Sequence, residues 1–127
     1  MPHRRLKVFF DGGCRPNPGH IEAATVVRGR VYLFDDLGEG TSSDAEWLAL
    51  IRALELAHSL DLNGIELIGD ARAVIDQANC ALKNGCAAHG HAAAFLAMAR
   101  RAPPARIRWI KRAQNLAGIA LASRHPR

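Results

Sequence analysis

Apolar, β-prone residues run from Leu6 to Phe10 and stop at Asp11, Gly12 and Gly13, which predicts a buried strand followed by a tight loop, GGCRPNPG. Ile21–Val27 and Val31–Phe34 are two further runs of this kind, split by Arg28, Gly29 and Arg30 as a hairpin would be. From Trp47 onward the apolar positions recur at Leu50, Ile51, Leu54 and Ala57, a period of about 3.6 residues that predicts an amphipathic helix over residues 44–60. Ser43 and Glu46 are spaced as its capping box. Ile65–Ile68 reads as a short buried strand closing on Gly69 and Asp70, followed by a helix through about Asn79. The alanine-rich stretch His91–Arg101 predicts another helix, stopped by Pro103 and Pro104; Arg106–Ile110 follows as a strand and Asn115–Ser123 as a last helix. Three antiparallel strands followed by alternating helices and strands predict an α/β fold, a five-stranded mixed sheet flanked by helices. No repeat, linker or low-complexity tract interrupts it, so a single domain over residues 1–127 is expected.

Composition narrows the class. With 127 residues, 49% hydrophobic and 23% charged, the chain is long and apolar enough to fold without disulfides or a structural metal. No run approaches the roughly 20 apolar residues of a membrane span. The basic start MPHRRLKVFFDGG has too short an apolar stretch for a signal peptide, and a cytoplasmic location is the expectation. Cys14, Cys80 and Cys86 are odd in number and unpatterned, as free thiols are. The net charge of +5 is unevenly placed. All 12 acidic residues lie at or before Asp76, where eight Lys and Arg leave a balance of −4, while the last 51 residues carry nine Lys and Arg and no acid. An acidic half beside a basic half suggests a polyanion docked near carboxylates with a divalent cation between them.

Three carboxylates stand at element ends: Asp11 closing the first strand, Glu46 in the first turn of a helix, and Asp70 closing the fourth strand. If the first and fourth strands are adjacent and parallel, their ends are about 5 Å apart and Asp11 and Asp70 can ligate one cation, with Glu46 reaching in from the helix. Hard oxygen donors favour Mg²⁺ or Mn²⁺ over zinc. Taken singly, Glu46 also reads as a helix cap, and Asp11 and Asp70 as turn residues beside glycine. Cys80, Cys86, His89 and His91 lack CxxC or HxxxH spacing, and no glycine-rich phosphate loop or nucleophile elbow occurs.

Four segments in series, KVFFDGGCRPNPG, GTSSDAEWLALIRALELA, IELIGDARAVIDQ and RIRWIKRAQNLAGIALA, resemble a type I ribonuclease H of the compact kind without a basic protrusion. The resemblance covers nearly the whole chain. It implies binding of RNA/DNA hybrid by a monomer and hydrolysis of its RNA strand with two divalent ions, Mg²⁺ or Mn²⁺. Carried over, Asp11 would bridge both ions, and Glu46 and Asp70 would complete the one that stabilises the leaving 3′ oxygen. Gly12, Cys14 and Asn17 would lie along the hybrid's minor groove, where a 2′-hydroxyl separates RNA from DNA. Ser42 and Ser43 stand where the family often has amide residues and offer a shorter reach. Arg112 and Asn115 belong to the same implied substrate surface, and Lys111 beside Arg112 is a further candidate for phosphate contact.

The sequence departs from the family at one position. The family's fourth carboxylate, four residues after the terminal Asn, falls on Ile119, and no acid follows Asp76 to replace it. An apolar side chain cannot ligate Mg²⁺, so the water-activating ion would rest on Asp11, phosphate oxygens and water, and turnover is expected to suffer more than binding. His125, folding back, would be a poorer ligand for Mg²⁺, and the segment Arg108–Gln114 lacks the histidine some family members carry there. The alternative from another class is a hybrid-binding module without turnover, and a third is action on a different nucleic acid.

Overall fold

The computed structural model describes residues 5–87 and 89–125; the basic start at residues 1–4, residue 88 and residues 126–127 lie outside the described residues. Its elements run β1 (Lys7–Cys14), β2 (Gly19–Val27), β3 (Arg30–Phe34), β4 (Glu39–Gly40), α1 (Ser42–Ser59), β5 (Glu66–Gly69), α2 (Arg72–Asn84), α3 (Gly90–Arg101), β6 (Arg106–Trp109), a short 3-10 turn at Arg112–Gln114, and α4 (Leu116–Ala122). Five strands form the expected mixed sheet in the order β3-β2-β1-β5-β6, with β1–β2–β3 antiparallel and β1–β5–β6 parallel. The two-residue β4 pairs with the start of β2 and makes a sixth strand that two polar-flanked residues gave no pattern to foresee.

β1 differs from the expectation at its end. It continues through Gly12 and Gly13 to Cys14, because Asp11 to Cys14 pair with Ala24 to Ile21. The turn is therefore confined to Arg15–Pro18, and Asp11 sits inside a strand rather than at its tip. Asp11 remains level with Asp70 all the same: Phe9 pairs with Ile68, and two residues further in register come the two acids.

α1 is anchored by Thr41, whose hydroxyl accepts from the Asp44 amide while Asp44 accepts from the Thr41 amide. This capping box replaces the one expected from Ser43 and Glu46. The cause is a start two residues earlier, which releases Glu46 from capping. The helix buries Ala45, Ala49, Ala53 and Ala57 completely, a line of four small residues one turn apart. Such a line lets a neighbouring backbone approach closely, and β1 does so at Gly12. Trp47, Leu50 and Leu54 pack the rest of that face against Val8, Phe10, Leu67 and Phe95. α4 covers the opposite face of the sheet, with Ala117 and Leu121 against Ala24 and Val26. α2 extends to Asn84, five residues past the expected end, and stops at Gly85 in the left-handed region. No helix among the described residues is long and apolar enough to cross a membrane.

Candidate active site

Asp11, Glu46 and Asp70 line one narrow crevice together with Phe10, Gly12 and Ala71. Each arrives by a different route. Strand register brings Asp11 and Asp70 side by side, and the close seat of α1 on Gly12 brings Glu46 over them. Burial pushes the Asp11 carboxyl up to about 7, with the charges of Asp70 and Glu46 adding to the rise and the Arg112 guanidinium opposing it. Glu46 is raised as well, first by burial and then by Asp70, with Arg112 again opposing. The trio is thus a concentration of negative charge that the fold tolerates at a cost. The trio shares the crevice without being closed into a cage: no three His, Cys, Asp or Glu among the described residues are grouped tightly enough to hold a metal ion as they stand.

Asn115 takes a place the sequence did not suggest. Expected on the substrate surface, it is fully buried and its amide nitrogen donates to Phe10 O and to Asp70 Oδ2, each at 3.0 Å. Its Oδ1 accepts from the Ala117 amide at 3.1 Å and so caps α4. One side chain therefore joins β1, the acid after β5 and the last helix. Trp109 adds a second tether, donating from its indole to Asp70 O at 3.2 Å, with the Arg72 guanidinium 4.1 Å over its ring. Asn115→Ala would strand Phe10 O and uncap α4 together, so a loss of about 2–4 kcal/mol is expected by chemical denaturation. A midpoint unchanged from wild type would show that water replaces the amide at no cost.

On the other side of Asp11 an open groove of about 390 Å³ is lined by Gly12, Gly13, Cys14, Arg15, Glu22, Arg112, Ile119 and His125, among others. Of the residues expected to touch substrate, Gly12, Cys14 and Arg112 face it. Asn17 fastens the Arg15–Pro18 turn to the helix start: its Oδ1 accepts from the Ser42 amide at 3.2 Å and from the Cys14 thiol at 3.5 Å. Ser43 is exposed on the first turn of α1, and Lys111 is exposed but outside the groove lining. Ile119 also faces the groove and is 53% exposed, a costly place for an aliphatic side chain unless something covers it. Gly118 lies directly over the carboxylate, since a Cβ there would stand 3.5 Å from Asp11 Oδ2.

Glu22 was missed from sequence. It is the one charged residue in the apolar run Ile21–Val27, and that interruption was the available signal. The uneven charge also resolves partly into internal pairing. Arg108 and Arg106 meet Glu66 at 3.3 and 3.7 Å, and Arg124 meets Glu22 and Asp35. His89 and His91 stand at the start of α3 beside Trp47: His89 is exposed and caps the helix, and His91 is half-buried and bonded to Asp44 at 2.8 Å.

The family described as reverse transcriptase-like matches residues 9–125. Ribonuclease HI of Halobacterium salinarum is 38% identical over 78 residues, 58% of this chain and 39% of that protein, so the chain spans about two-fifths of the length of the curated relative it matches. Among solved structures, RNase H1 of the same halophilic archaeon superposes with a TM-score of 0.70 at 29% identity, covering 93% of this chain and 94% of that one. LC11-RNase H1, isolated from compost and solved in complex with RNA/DNA hybrid, gives 0.73 at 22% identity over 92% and 93% of the two chains, a likeness of fold.

Proposed function

From the premise that this chain belongs to the reverse transcriptase-like family, in its type I ribonuclease H branch, we propose that it binds RNA/DNA hybrid and hydrolyses the RNA strand with Mg²⁺ or Mn²⁺. The observation that carries this reading is the convergence of Asp11, Glu46 and Asp70 on one crevice, with Asp11 pushed up to about 7 by burial and by its neighbours' charge. Three carboxylates in one crevice, with the proton affinity of Asp11 and Glu46 raised, suit a hard divalent cation, which would relieve their repulsion. Asp11, Glu46 and Asp70 would hold it, and Asp70 keeps Oδ1 free for the purpose because Asn115 engages only Oδ2. When bound, the cation supplies Lewis acidity at the scissile phosphate and the leaving oxygen.

The chain's own groups supply the rest. Arg112 stands where it offsets the charge of Asp11 and Glu46 and can meet a phosphate oxygen along the groove. Cys14, Asn17 and Ser42 form one hydrogen-bonded corner, so the minor-groove contacts they offer are held as a unit. That corner presents backbone and short side chains, which fits recognition of sugar and shape rather than base sequence.

A second reading, hybrid binding without turnover, is favoured by one residue. Ile119 occupies the groove wall beside Asp11 where a carboxylate would complete the water-activating side. Incubation of the purified chain with labelled hybrid in Mg²⁺ or Mn²⁺ separates the two: products with 5′ phosphates support hydrolysis, and retarded but uncut hybrid supports the binder. Ile119→Asp is expected to raise the initial cleavage rate by about tenfold or more, the scale of one added electrostatic contact in a transition state. An unchanged rate would mean that this wall of the groove does not limit turnover.

A further inference from the structure

The groove beside Asp11 holds a pair of groups outside the acidic trio. Glu22 pairs with Gly13 and Asp11 pairs with Ala24, so the two acids are diagonal neighbours across β1 and β2. Residues paired in this way project from the same face, where diagonal neighbours lie about 7–8 Å apart. That face is the one α4 covers, because Ala24 packs against Ala117 and Leu121. Gly13 contributes no side chain between them, and a Cβ there would meet nothing within 4 Å. Glu22 is only 7% exposed and is held at both oxygens: Oε2 accepts from His125 Nε2 at 2.5 Å and Oε1 from Arg124 at 3.2 Å. Asp35 fixes Arg124 in turn, at 2.5 and 3.0 Å. His125 lines the same groove as Asp11 and Ile119.

We propose that the Glu22–His125 pair is the proton acceptor for the attacking water on the side of the groove where Ile119 stands, with His125 the catalytic residue and Glu22 its positioning residue; this rests on the hydrolytic reading above. A carboxylate only accepts, so the bond to Glu22 places the proton of neutral His125 on Nε2 and the lone pair on Nδ1. Nδ1 has no hydrogen-bond partner among the described residues. A groove water passes one proton to Nδ1 as an electron pair of its oxygen forms the bond to phosphorus. The bond from phosphorus to the 3′ oxygen breaks with its electrons on that oxygen, which takes a proton from solvent. The imidazolium, stabilised by Glu22, then returns its proton to solvent. The charged groups around the imidazole are Glu22 on β2, Arg124 beside it, Asp35 after β3 with His20 beyond, and Asp11, Arg15 and Arg112 along the groove.

The test compares the full chain with His125→Ala and Glu22→Gln on labelled hybrid in Mn²⁺, reading kcat, hybrid affinity, melting temperature and the pH profile of kcat. His125→Ala is expected to lower kcat by about 100-fold, the scale of general-base catalysis, while hybrid affinity holds. It should also erase the acid limb of the profile, and added imidazole should restore part of the rate in proportion to its concentration. Glu22→Gln should lower kcat and alter that limb with the hybrid still bound. A His125→Ala rate within about twofold of wild type, an acid limb that survives, or a loss that imidazole leaves untouched overturns the pair while hydrolysis stands. A wild-type chain that binds hybrid and leaves it uncut overturns the hydrolytic reading itself.

Discussion

Asp11→Asn is expected to abolish hydrolysis and, in the absence of metal, to make the protein more stable. The loss of rate should exceed about 10²–10³-fold, the scale for removing one group that stabilises developing charge, because Asp11 is the acid that faces both Glu46 and Asp70 in the crevice and the open groove on its other side. The gain in stability follows from the same crowding. Asp11 titrates at about 7 in the fold against an ordinary 3.8, so between those values the folded chain binds a proton that the unfolded chain has released. Stability of the metal-free protein therefore falls as pH rises from about 4 to about 7 and is flat beyond for this group, a difference of at most about 4 kcal/mol. Asn carries no such charge. Melting temperatures measured with a chelator at acid and at mildly alkaline pH should show the variant pulling ahead of wild type as pH rises. Parallel curves would mean that the carboxylate is relaxed and solvated, and the crevice would lose its claim to a cation.

Gly12→Ala should cost the protein its fold. A Cβ at Gly12 would fall well inside contact distance of the Ala45 carbonyl oxygen, 2.7 Å from the Ala45 carbonyl carbon and 3.0 Å from Ala49 Cβ. None of these atoms is the free end of a flexible side chain, so β1 or α1 would have to move as a whole. Ordinary overpacking costs about 1–3 kcal/mol, and a clash of backbone against backbone lies at or beyond the top of that range. The moved element carries either Asp11 or Glu46, so whatever folds should also lose activity. Gly13→Ala is the control for stability: the adjacent position has open space and should melt within about 0.5 kcal/mol of wild type. A Gly12→Ala protein with native melting behaviour would show that the contact between strand and helix yields easily.

Five of the six strands, α1 and the three acids were legible because each rests on a local pattern. Apolar runs mark β2 and β3, spacing from Trp47 to Ala57 marks the buried face of α1, and glycine beside an acid marks the rim of the sheet. What escaped depends on contacts between distant segments. Pairing with β2 carries β1 through two glycines that read locally as a turn. Thr41 prevails over Ser43 as the cap because the helix begins where β4 ends, and β4 exists only by pairing with β2. Asn115 looked like a surface residue because its partners, Phe10 and Asp70, lie 105 and 45 positions away. Glu22 is an oddity in an apolar strand until the segment after α4 brings His125 and Arg124 to it.

The reach of Asn115 governs when during synthesis the site can exist. Its bond to Phe10 O spans 105 positions, and the bond that steadies Asp70 comes from the same amide. A chain emerging from the ribosome can pair β1 with β2 early, yet those two bonds and the α4 cap must wait until Asn115 and the residues of α4 have been added. A contact of such long range closes late in folding. A nascent chain would thus stay unarmed until Asn115 is in place, beside the very messenger that encodes it.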